Sequence, residues 1–497
     1  MAAPTADVLY DEVPYPGHPF AQTHPDRLAS IGRLYGLACP APAGSRVLEL
    51  GCGDGGNLLP MALSLPRASF VGVDNSAQAI ARARELAQAI GVANVRFELL
   101  GVEEYEPEPQ SFDYVAAHGL YSWVPAPLRD RVLDLFAAAL APTGVAFVSF
   151  NVRPGHNPRQ AIRELLFFEL EGIDEPRARM AAARKLLAEV CEVWPGGEGL
   201  ETTLGGQARM LLAQGDALFF HDTLSPVNHA PYFHEFAAHA SAHGLRFLAE
   251  ADFADMQTGG LPDELRVRIA GAEDPLAREQ LIDFLRQRMF RQTLLCHAGA
   301  PVDPVPHPRR VARLAVAGPV ESSRDEETGR TTFTASDGAR VTTDHPVLVD
   351  ALTRIGAAWP AALPIAALAG DDGGEDFDAR LMVVCESLLA CAGAKLVRLH
   401  AHPPALAKRP GKRPRVSPLA RLQARERDYV TTLWHTSIKL EDELGWRLLE
   451  LLDGTRDRAA LLAALRKGMK GGYPHLARDL DRSLDTLGRV ALIMADD

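Results

Sequence analysis

One stretch near the N-terminus, residues 46–57, combines acidic and glycine residues at a spacing typical of nucleoside binding. A short apolar run leads into Gly51, Gly53 and Gly56, where a tight turn needs positive φ and a ligand must approach the backbone without meeting a Cβ. The next apolar strand ends at Asp74, the position expected for a carboxylate that binds ribose hydroxyls. The spacing therefore predicts a nucleoside site.

Glu49 separates two ligand classes that the glycine spacing leaves open. A dinucleotide would place its pyrophosphate at the N-terminus of the following helix, and a carboxylate two residues before the first glycine would repel it. The same carboxylate suits a ligand with an ammonium group and no phosphate, which describes S-adenosylmethionine (SAM). We predict SAM, with a nicotinamide dinucleotide or a turn that binds nothing as alternatives. The predicted cofactor residues here are Glu49, Gly51, Gly53, Asn57, Asp74 and Asn75.

Length and composition restrict the class of protein. A chain of 497 residues is too long for a single hydrophobic core, so about two to four domains are expected. The net charge of −12 argues against a nucleic-acid partner. No apolar run approaches the roughly 20 residues that span a bilayer, and we expect neither membrane insertion nor a signal peptide. The six cysteines form no C-x-x-C pair, which favours a reduced, cytoplasmic protein without structural zinc.

Apolar strands alternate with amphipathic helices in the first part of the chain, which indicates a doubly wound, Rossmann-like parallel α/β sheet. Residues 158–215 look helical throughout and interrupt the alternation. A helix and two further strands then complete the sheet. The predicted strands are 45–50, 69–74, 94–99, 112–119, 145–151, 245–249 and 291–297.

We predict five segments, the second of which is a helical insertion into the catalytic core. Residues Leu165, Leu166, Phe167 and Phe168 form an apolar block there, too exposed for a lone helical hairpin, so we expect it to pack against the second subunit of a homodimer. Beyond residue 300 we expect two smaller α+β domains, the last of them winged-helix-like. The segments are 1–153 (SAM-binding core with an aromatic arm), 154–227 (helical insertion and dimerisation region), 228–300 (return to the core), 301–402 (middle domain) and 403–497 (basic, proline-rich linker and C-terminal domain).

Chemistry-bearing residues also follow the third and fourth strands, at the sheet edge where such folds bind ligands. Gly101, Val102 and Glu103 follow the third strand and are predicted to meet the adenine ring. His118 follows the fourth strand and is predicted to lie beside both cofactor and acceptor. An extended N-terminal arm carries Tyr10, Tyr15 and His24, which either strap the sheet edge or cover the cofactor and shape the acceptor pocket.

Two other clusters have an ordinary and a functional interpretation. His239 and His243 are four residues apart on one predicted helical face, as zinc ligands can be, but no cysteine or acid completes the set in the sequence, so packing or capping is favoured and no metal is predicted. The basic linker is either solvated or a clamp for an acidic protein. Its cations are Lys408, Arg409, Lys412, Arg413 and Arg415.

Several motifs in combination resemble the class I SAM-dependent methyltransferases that carry a methyltransferase regulatory domain. The resemblance implies SAM as cofactor, and the family includes bacterial protein-lysine methyltransferases that modify outer-membrane proteins. It also implies a layout of SAM domain, helical dimerisation region, middle domain and C-terminal domain around an open cleft. The motifs are Tyr10-Asp-Glu-Val-Pro-Tyr-Pro, Thr23-His-Pro-Asp-Arg-Leu28, the glycine turn, Ala117-His-Gly-Leu-Tyr-Ser-Trp-Val-Pro125, Tyr232-Phe-His-Glu-Phe236 and Arg288-Met-Phe-Arg-Gln-Thr-Leu-Leu-Cys-His297.

The family pattern differs at one point, because the third strand usually ends in an acid that meets the adenine amino group. Gly101 occupies that place, so the backbone of Gly101 and Val102, or the side chain of Glu103, would have to recognise adenine.

The expected reaction is methyl transfer to lysine, which must first lose its proton. Tyr121 or Tyr15 is predicted to orient the amine, Trp123 to form an aromatic wall, and His118 to accept the proton or cap the strand. Packing under the next helix is the other interpretation of Trp123. A small-molecule methyltransferase and a SAM-binding scaffold without turnover are the alternative functions.

Overall fold

A computed structural model of the chain describes residues 17–194, 200–370, 377–407, 409–468 and 475–495. Its first seven strands are Arg46–Leu50 (β1), Ser69–Asp74 (β2), Val95–Leu99 (β3), Phe112–Ala117 (β4), Leu140–Asn151 (β5), Leu245–Glu250 (β6) and Phe290–His297 (β7). They form one sheet in the order β3-β2-β1-β4-β5-β7-β6, in which β1 to β5 are parallel and β7 is antiparallel to both neighbours. The predicted doubly wound fold is confirmed.

The strand order reverses at β1, which lies between β2 and β4. Val47 pairs with Phe70 on one side and with Tyr114 on the other, so β1 is held from both edges. The chain segments that follow β1 and β4 run to opposite sides of the sheet. The carboxyl ends of these two neighbouring strands consequently border a crevice. The glycine turn begins at this crevice.

Alternate residues of the strands face two separate apolar layers. Val47 belongs to one layer and Leu48 to the other, and both are buried. Helices cover both faces, as expected for strands that are apolar on each side. The helices of the core are Pro25–Leu34, Leu58–Ser64, Ala77–Ile90, Ala126–Ala139, Phe233–Ala242, Asp263–Ala270 and Pro275–Arg286.

A purely helical segment separates β5 from the return of the chain to the sheet. Leu166 lies in its buried core, whereas Phe168, Val193 and Met210 are 77%, 69% and 53% exposed. The predicted apolar block is therefore only partly covered within one chain. The helices are Asn157–Glu169, Pro176–Val193, Leu200–Leu212 and Asp216–Leu224.

A buried ion network fastens the returning segment to the sheet. The fully buried guanidinium of Arg291 on β7 lies 2.5 Å from Glu250 on β6 and 2.9 Å from Asp283 on the helix Pro275–Arg286. Glu279 adds a contact at 3.1 Å, and the guanidinium also covers the ring of Phe233 at 3.7 Å. A buried cation requires such partners because removing it from water is costly.

The remainder of the chain forms a middle domain with two small sheets and a C-terminal winged-helix domain, which confirms that part of the predicted fold class. None of the helices that the structure describes is long and apolar enough to cross a bilayer. The strands are Ala315–Ala317, Glu321–Arg324, Thr331–Thr334, Arg340–Thr343, Leu363–Pro364, Arg398–His400, Val430–Thr431 and Ser437–Ile438. The helices are Pro346–Ala358, Phe377–Gly393, Pro418–Glu426, Glu443–Leu451, Arg458–Gly468 and Leu476–Arg489.

Candidate cofactor and acceptor site

Asn57, at the start of the helix after the glycine turn, is the centre of a buried hydrogen-bond network. Its Nδ2 donates to Glu49 Oε1 at 2.7 Å and to Thr23 Oγ1 at 2.9 Å. Its Oδ1 accepts the backbone N–H of Phe20 at 2.9 Å, so the orientation of the amide is fixed from both ends. Asn57 thus positions the Glu49 carboxylate and holds the N-terminal arm against the glycine turn.

Glu49 has one carboxylate oxygen that is satisfied and one that is not. Oε2 is buried and has no hydrogen-bond partner among the residues that the structure describes. Burial raises the pKa of Glu49 to about 8, against the Asn57 hydrogen bond, and the charge of nearby Asp74 acts in the same direction as burial. A buried acceptor without a donor requires a cationic partner to ionise at neutral pH. The ammonium of SAM meets this requirement, so the residues fit the predicted cofactor.

The glycine turn and Asp74 are joined directly. Gly51 and Gly53 have φ of 72° and 53°, which explains the need for glycine there. The expectation of positive φ at Gly56 is wrong, because the third left-handed residue of the turn is Gly55, with φ of 77°. Asp74 Oδ2 accepts the N–H of Gly53 at 2.8 Å, and its Oδ1 accepts that of Ser76 at 2.9 Å. These bonds fix the carboxylate at the end of β2 beside the turn. Asn75, next to it, is exposed.

The segment after β3 brings Glu103 over Gly101. An added Cβ there would lie 2.6 Å from the carboxyl carbon of Glu103, and the N–H of Gly101 donates to Glu104 Oε2 at 3.2 Å. The carbonyl of Val102 accepts from Arg131 Nε at 3.3 Å. Glu103 is exposed and folds back over Gly101. Its contact with adenine stays a prediction.

His118, directly after β4, lies among aromatic rings. Its ring centroid is 3.8 Å from that of Phe20 on the arm, and Phe147 and Phe290 lie at 5.9 and 6.3 Å. Its Nδ1 is 2.9 Å from Ser149 Oγ. Burial lowers the pKa of His118 to about 4, so the imidazole is neutral at physiological pH. Phe20 of the arm therefore packs over the end of β4, which either predicted role of the arm requires.

Tyr121 and Trp123 follow His118 in the chain but have different surroundings. Tyr121 is buried against Phe150 and Phe236, and its hydroxyl lies 2.8 Å from His239 Nδ1, which leaves no exposed phenol to orient an amine. Trp123 is half-buried in the turn that follows. Tyr10 and Tyr15 lie outside the described residues.

His24 caps the following helix, and its ring lies against that of His435, with the two centroids 5.2 Å apart. The cap is the bond that His24 Nδ1 accepts from the N–H of Asp26, and the Nε2 of the same ring is 3.2 Å from Ser64 Oγ. Phe20 and Thr23, which were not predicted as site residues, make the arm's contacts with His118 and Asn57 instead. Phe20 lies between Tyr15 and His24 in the predicted N-terminal arm, so its place in that arm was the available signal.

His435 of the C-terminal domain is a site residue that the sequence did not reveal. Its Nε2 lies 2.8 Å from Asn57 Oδ1. Burial lowers the pKa of His435 well below its usual value, so the neutral ring donates to the amide oxygen. Tyr429 of the same domain donates its hydroxyl to the carbonyl of Gly17. No local pattern in the sequence distinguishes these two residues.

Three family models match separate parts of the chain. A methyltransferase domain matches residues 47–144, a predicted methyltransferase regulatory domain matches 215–297, and the PKMT C-terminal winged helix domain matches 412–490. The first covers the glycine turn and strands β1 to β4. The second covers β6, β7 and the Arg291 network.

Two related proteins come from Rickettsia prowazekii. The chain is 36% identical to RP789 over 293 residues, which is 58% of this chain and 52% of the relative. It is 31% identical to RP028 over 255 residues, which is 50% of this chain and the whole of the relative. The chain thus spans about half the length of the first relative.

PKMT2 from Rickettsia typhi has a similar fold. The TM-score is 0.85 at 23% identity, over 97% of this chain and 100% of that chain. A second structure of PKMT2, in complex with AdoHcy, gives 0.84 at 24% identity with the same coverage. The likeness therefore includes the helical, middle and C-terminal parts as well as the sheet.

Proposed function

The chain belongs to the class I SAM-dependent methyltransferases that carry a methyltransferase regulatory domain, and we propose that its methyl acceptor is a lysine side chain of a protein. The observation that carries the proposal is the extent of the fold likeness to PKMT2, which continues through the domains beyond the cofactor sheet. A protein acceptor needs a larger binding surface than a small molecule, and these domains supply surface next to the site.

SAM supplies an electrophilic methyl group on a sulfonium centre. We assign its ammonium to the free Oε2 of Glu49 and its ribose hydroxyls to Asp74. We assign the adenine to the segment from Gly101 to Glu103, where backbone groups and the Glu103 carboxylate are available. The complex of PKMT2 with AdoHcy, the demethylated form of SAM, supports this choice of cofactor.

The aromatic surface around His118 suits an amine acceptor. A lysine ammonium has no lone pair, and an apolar surrounding lowers its pKa and so favours the neutral amine. Phe20, His118 and Phe290 provide that surrounding, and aromatic faces also attract the cationic sulfonium. We propose that His118 orients the amine, with Trp123 and the arm residue Tyr15 as further walls.

The exposed apolar side chains of the helical segment support a homodimer. Phe168, Val193 and Met210 belong to three helices of that segment and would be covered by a second subunit. We propose that the dimer works in the cytoplasm, where the six free cysteines stay reduced, and that its substrates include outer-membrane proteins before export.

The test is methyl transfer from labelled SAM to a bacterial extract separated into membrane proteins, soluble proteins and small molecules. We expect label on protein, recovered as methyl-lysine after acid hydrolysis. Asp74→Ala should abolish it, whereas Glu108→Ala, an exposed acid beyond β3, should not. Label confined to the small-molecule fraction would overturn the lysine assignment. SAM binding with no label in any fraction would favour a scaffold.

A further inference from the structure

Two histidines and an aspartate meet at the surface between two helices, away from the cofactor turn. His239 and His243 occupy successive turns at the end of the helix Phe233–Ala242. Asp130 comes from the helix Ala126–Ala139, and its Oδ1 lies 2.8 Å from His239 Nε2. One potential ligand atom from each of the three residues lies within 4.8 Å of the other two. The acid that the local sequence lacks is therefore supplied from 109 residues away.

We propose that Asp130, His239 and His243 bind one divalent transition-metal ion, of which Zn²⁺ is the model. Two imidazoles and a carboxylate are a common donor set for zinc, and imidazole selects such metals over Mg²⁺ and Ca²⁺. Three protein ligands leave a coordination position for water.

The surrounding hydrogen bonds are those of a supported metal site. A histidine ligand usually uses its other ring nitrogen to bond a fixed neighbour, which sets the ring orientation. His239 Nδ1 lies 2.8 Å from the hydroxyl of Tyr121, which leaves Nε2 for the metal. His243 Nδ1 lies 2.7 Å from Asp134 Oδ1, so its Nε2 is the nitrogen available to the ion. Tyr121 thus has a supporting role, outside the acceptor site.

The competing explanation is two independent histidine–aspartate pairs that join the helices. Such pairs do not require a third donor at the same point, whereas here three residues converge. Bonds of about 2.0–2.1 Å to a tetrahedral ion place ligand atoms about 3.3 Å apart. Asp130 Oδ1 and His239 Nε2, now 2.8 Å apart, would have to separate slightly, and the ligand atom of His243 lies within 4.8 Å of both. Asp130 can adjust, because its side chain is 57% exposed.

Metal binding would fasten the helix after β4 to the helix that precedes β6. Tyr121 belongs to the turn that also carries His118, so the ion would steady this turn through His239. The predicted role is structural.

The test uses the full-length protein, purified without a histidine tag and stripped of metal, titrated with Zn²⁺ against a chromophoric chelator. We expect one equivalent of Zn²⁺, and at least a tenfold loss of affinity in each of His239→Gln, His243→Gln and Asp130→Asn. His234→Gln is the matched control. His234 lies on the same helix as His239 but outside the cluster, and its Nδ1 lies 2.9 Å from Gln280 Oε1.

Thermal unfolding without metal shows whether each variant folds. Asp130→Asn is the variant expected to fold normally, because the Asp130 side chain is 57% exposed. The proposal also predicts that Zn²⁺ raises the melting temperature of the wild type but not of Asp130→Asn. It is overturned if the wild type binds no more Zn²⁺ than His239→Gln/His243→Gln, or if the His234 control loses affinity equally.

Discussion

The Nε2 of His435 lies 2.8 Å from the Oδ1 of Asn57, although 378 residues separate them in the chain. Asn57 also donates a hydrogen bond to Glu49, whose carboxylate we assign to the cofactor ammonium. A single side chain, Asn57, therefore connects the C-terminal domain to that carboxylate. Movement of this domain would therefore change the cofactor site directly. This contact joins the C-terminal domain to the candidate cofactor site.

His435→Ala should weaken cofactor binding. The loss of one buried hydrogen bond costs about 1 kcal/mol, so the dissociation constant of S-adenosylhomocysteine should rise about fivefold in titration calorimetry. Lys439→Ala, on the exposed surface of the same domain, is the control and should bind as the wild type does. Unchanged affinity in a folded His435→Ala protein would disprove the coupling.

Cofactor affinity should rise with pH below about pH 8. In the ligand-free protein the pKa of Glu49 is raised to about 8, and only its ionised form attracts an ammonium. Affinity for the cofactor should therefore increase by up to about tenfold per pH unit. The increase ends where the amine of the ligand loses its own proton. Glu49→Gln should bind the ligand more than tenfold less tightly at pH 8 and without this dependence. Calorimetry across about pH 6–8 measures both effects.

The same substitution should stabilise the ligand-free protein. The pKa of Glu49 is raised from 4.5 to about 8 on folding, so its protonated form stabilises the fold below pH 4.5 and this contribution is lost as pH rises towards 8. Ligand-free Glu49→Gln should consequently have a melting temperature a few degrees above that of the wild type at pH 8. This shift corresponds to a gain of about 1–2 kcal/mol in the free energy of unfolding. A lower melting temperature would contradict the assigned burial.

Phe20→Ala should impair methyl transfer more than cofactor binding. The backbone N–H that holds Asn57 remains, but the ring 3.8 Å from His118 is lost. We expect kcat/KM for the acceptor to fall about tenfold. Aromatic contacts of this kind contribute about 0.5–1.5 kcal/mol, and the Phe20 ring also keeps water from His118. Phe284→Ala, 42% exposed beside Tyr232, is the matched aromatic control. Equal effects of the two changes would remove Phe20 from the acceptor site.

Tyr121→Phe should leave turnover within about threefold of the wild type, because the hydroxyl contacts His239 and not the proposed acceptor surface around His118. The lost hydrogen bond should lower the free energy of unfolding by about 1 kcal/mol, measured by urea titration. A hundredfold loss of kcat with normal stability would instead place Tyr121 at the acceptor.

Arg291→Met should destabilise the protein by about 3–5 kcal/mol, because the buried Glu250 loses its cation. Glu279 and Asp283 keep only the longer contacts with Arg288, at 3.8 and 3.3 Å. Arg266→Met removes an exposed pair with Asp263 and should change stability by less than about 1 kcal/mol. Urea unfolding of both variants measures the difference. Similar values would show that the network contributes little.

The sequence by itself determined the sheet and the cofactor turn. Short apolar runs, glycines at positive φ and acids at strand ends are local features, so Glu49, Gly51, Gly53 and Asp74 could be predicted as cofactor residues from neighbouring residues alone. The interruption by helices and the return through β6 and β7 were also recognisable, because periodicity changes where the chain leaves the sheet.

Only the tertiary structure decided which distant side chains meet. The hydrogen bond from His435 to Asn57 and the position of Asp130 beside His239 join residues more than 100 positions apart. The motif that placed Tyr121 after β4 did not show that its side chain is buried against Phe150 and Phe236. Local patterns report what a segment requires of its own backbone, whereas a buried hydrogen bond between segments depends on how separate elements pack.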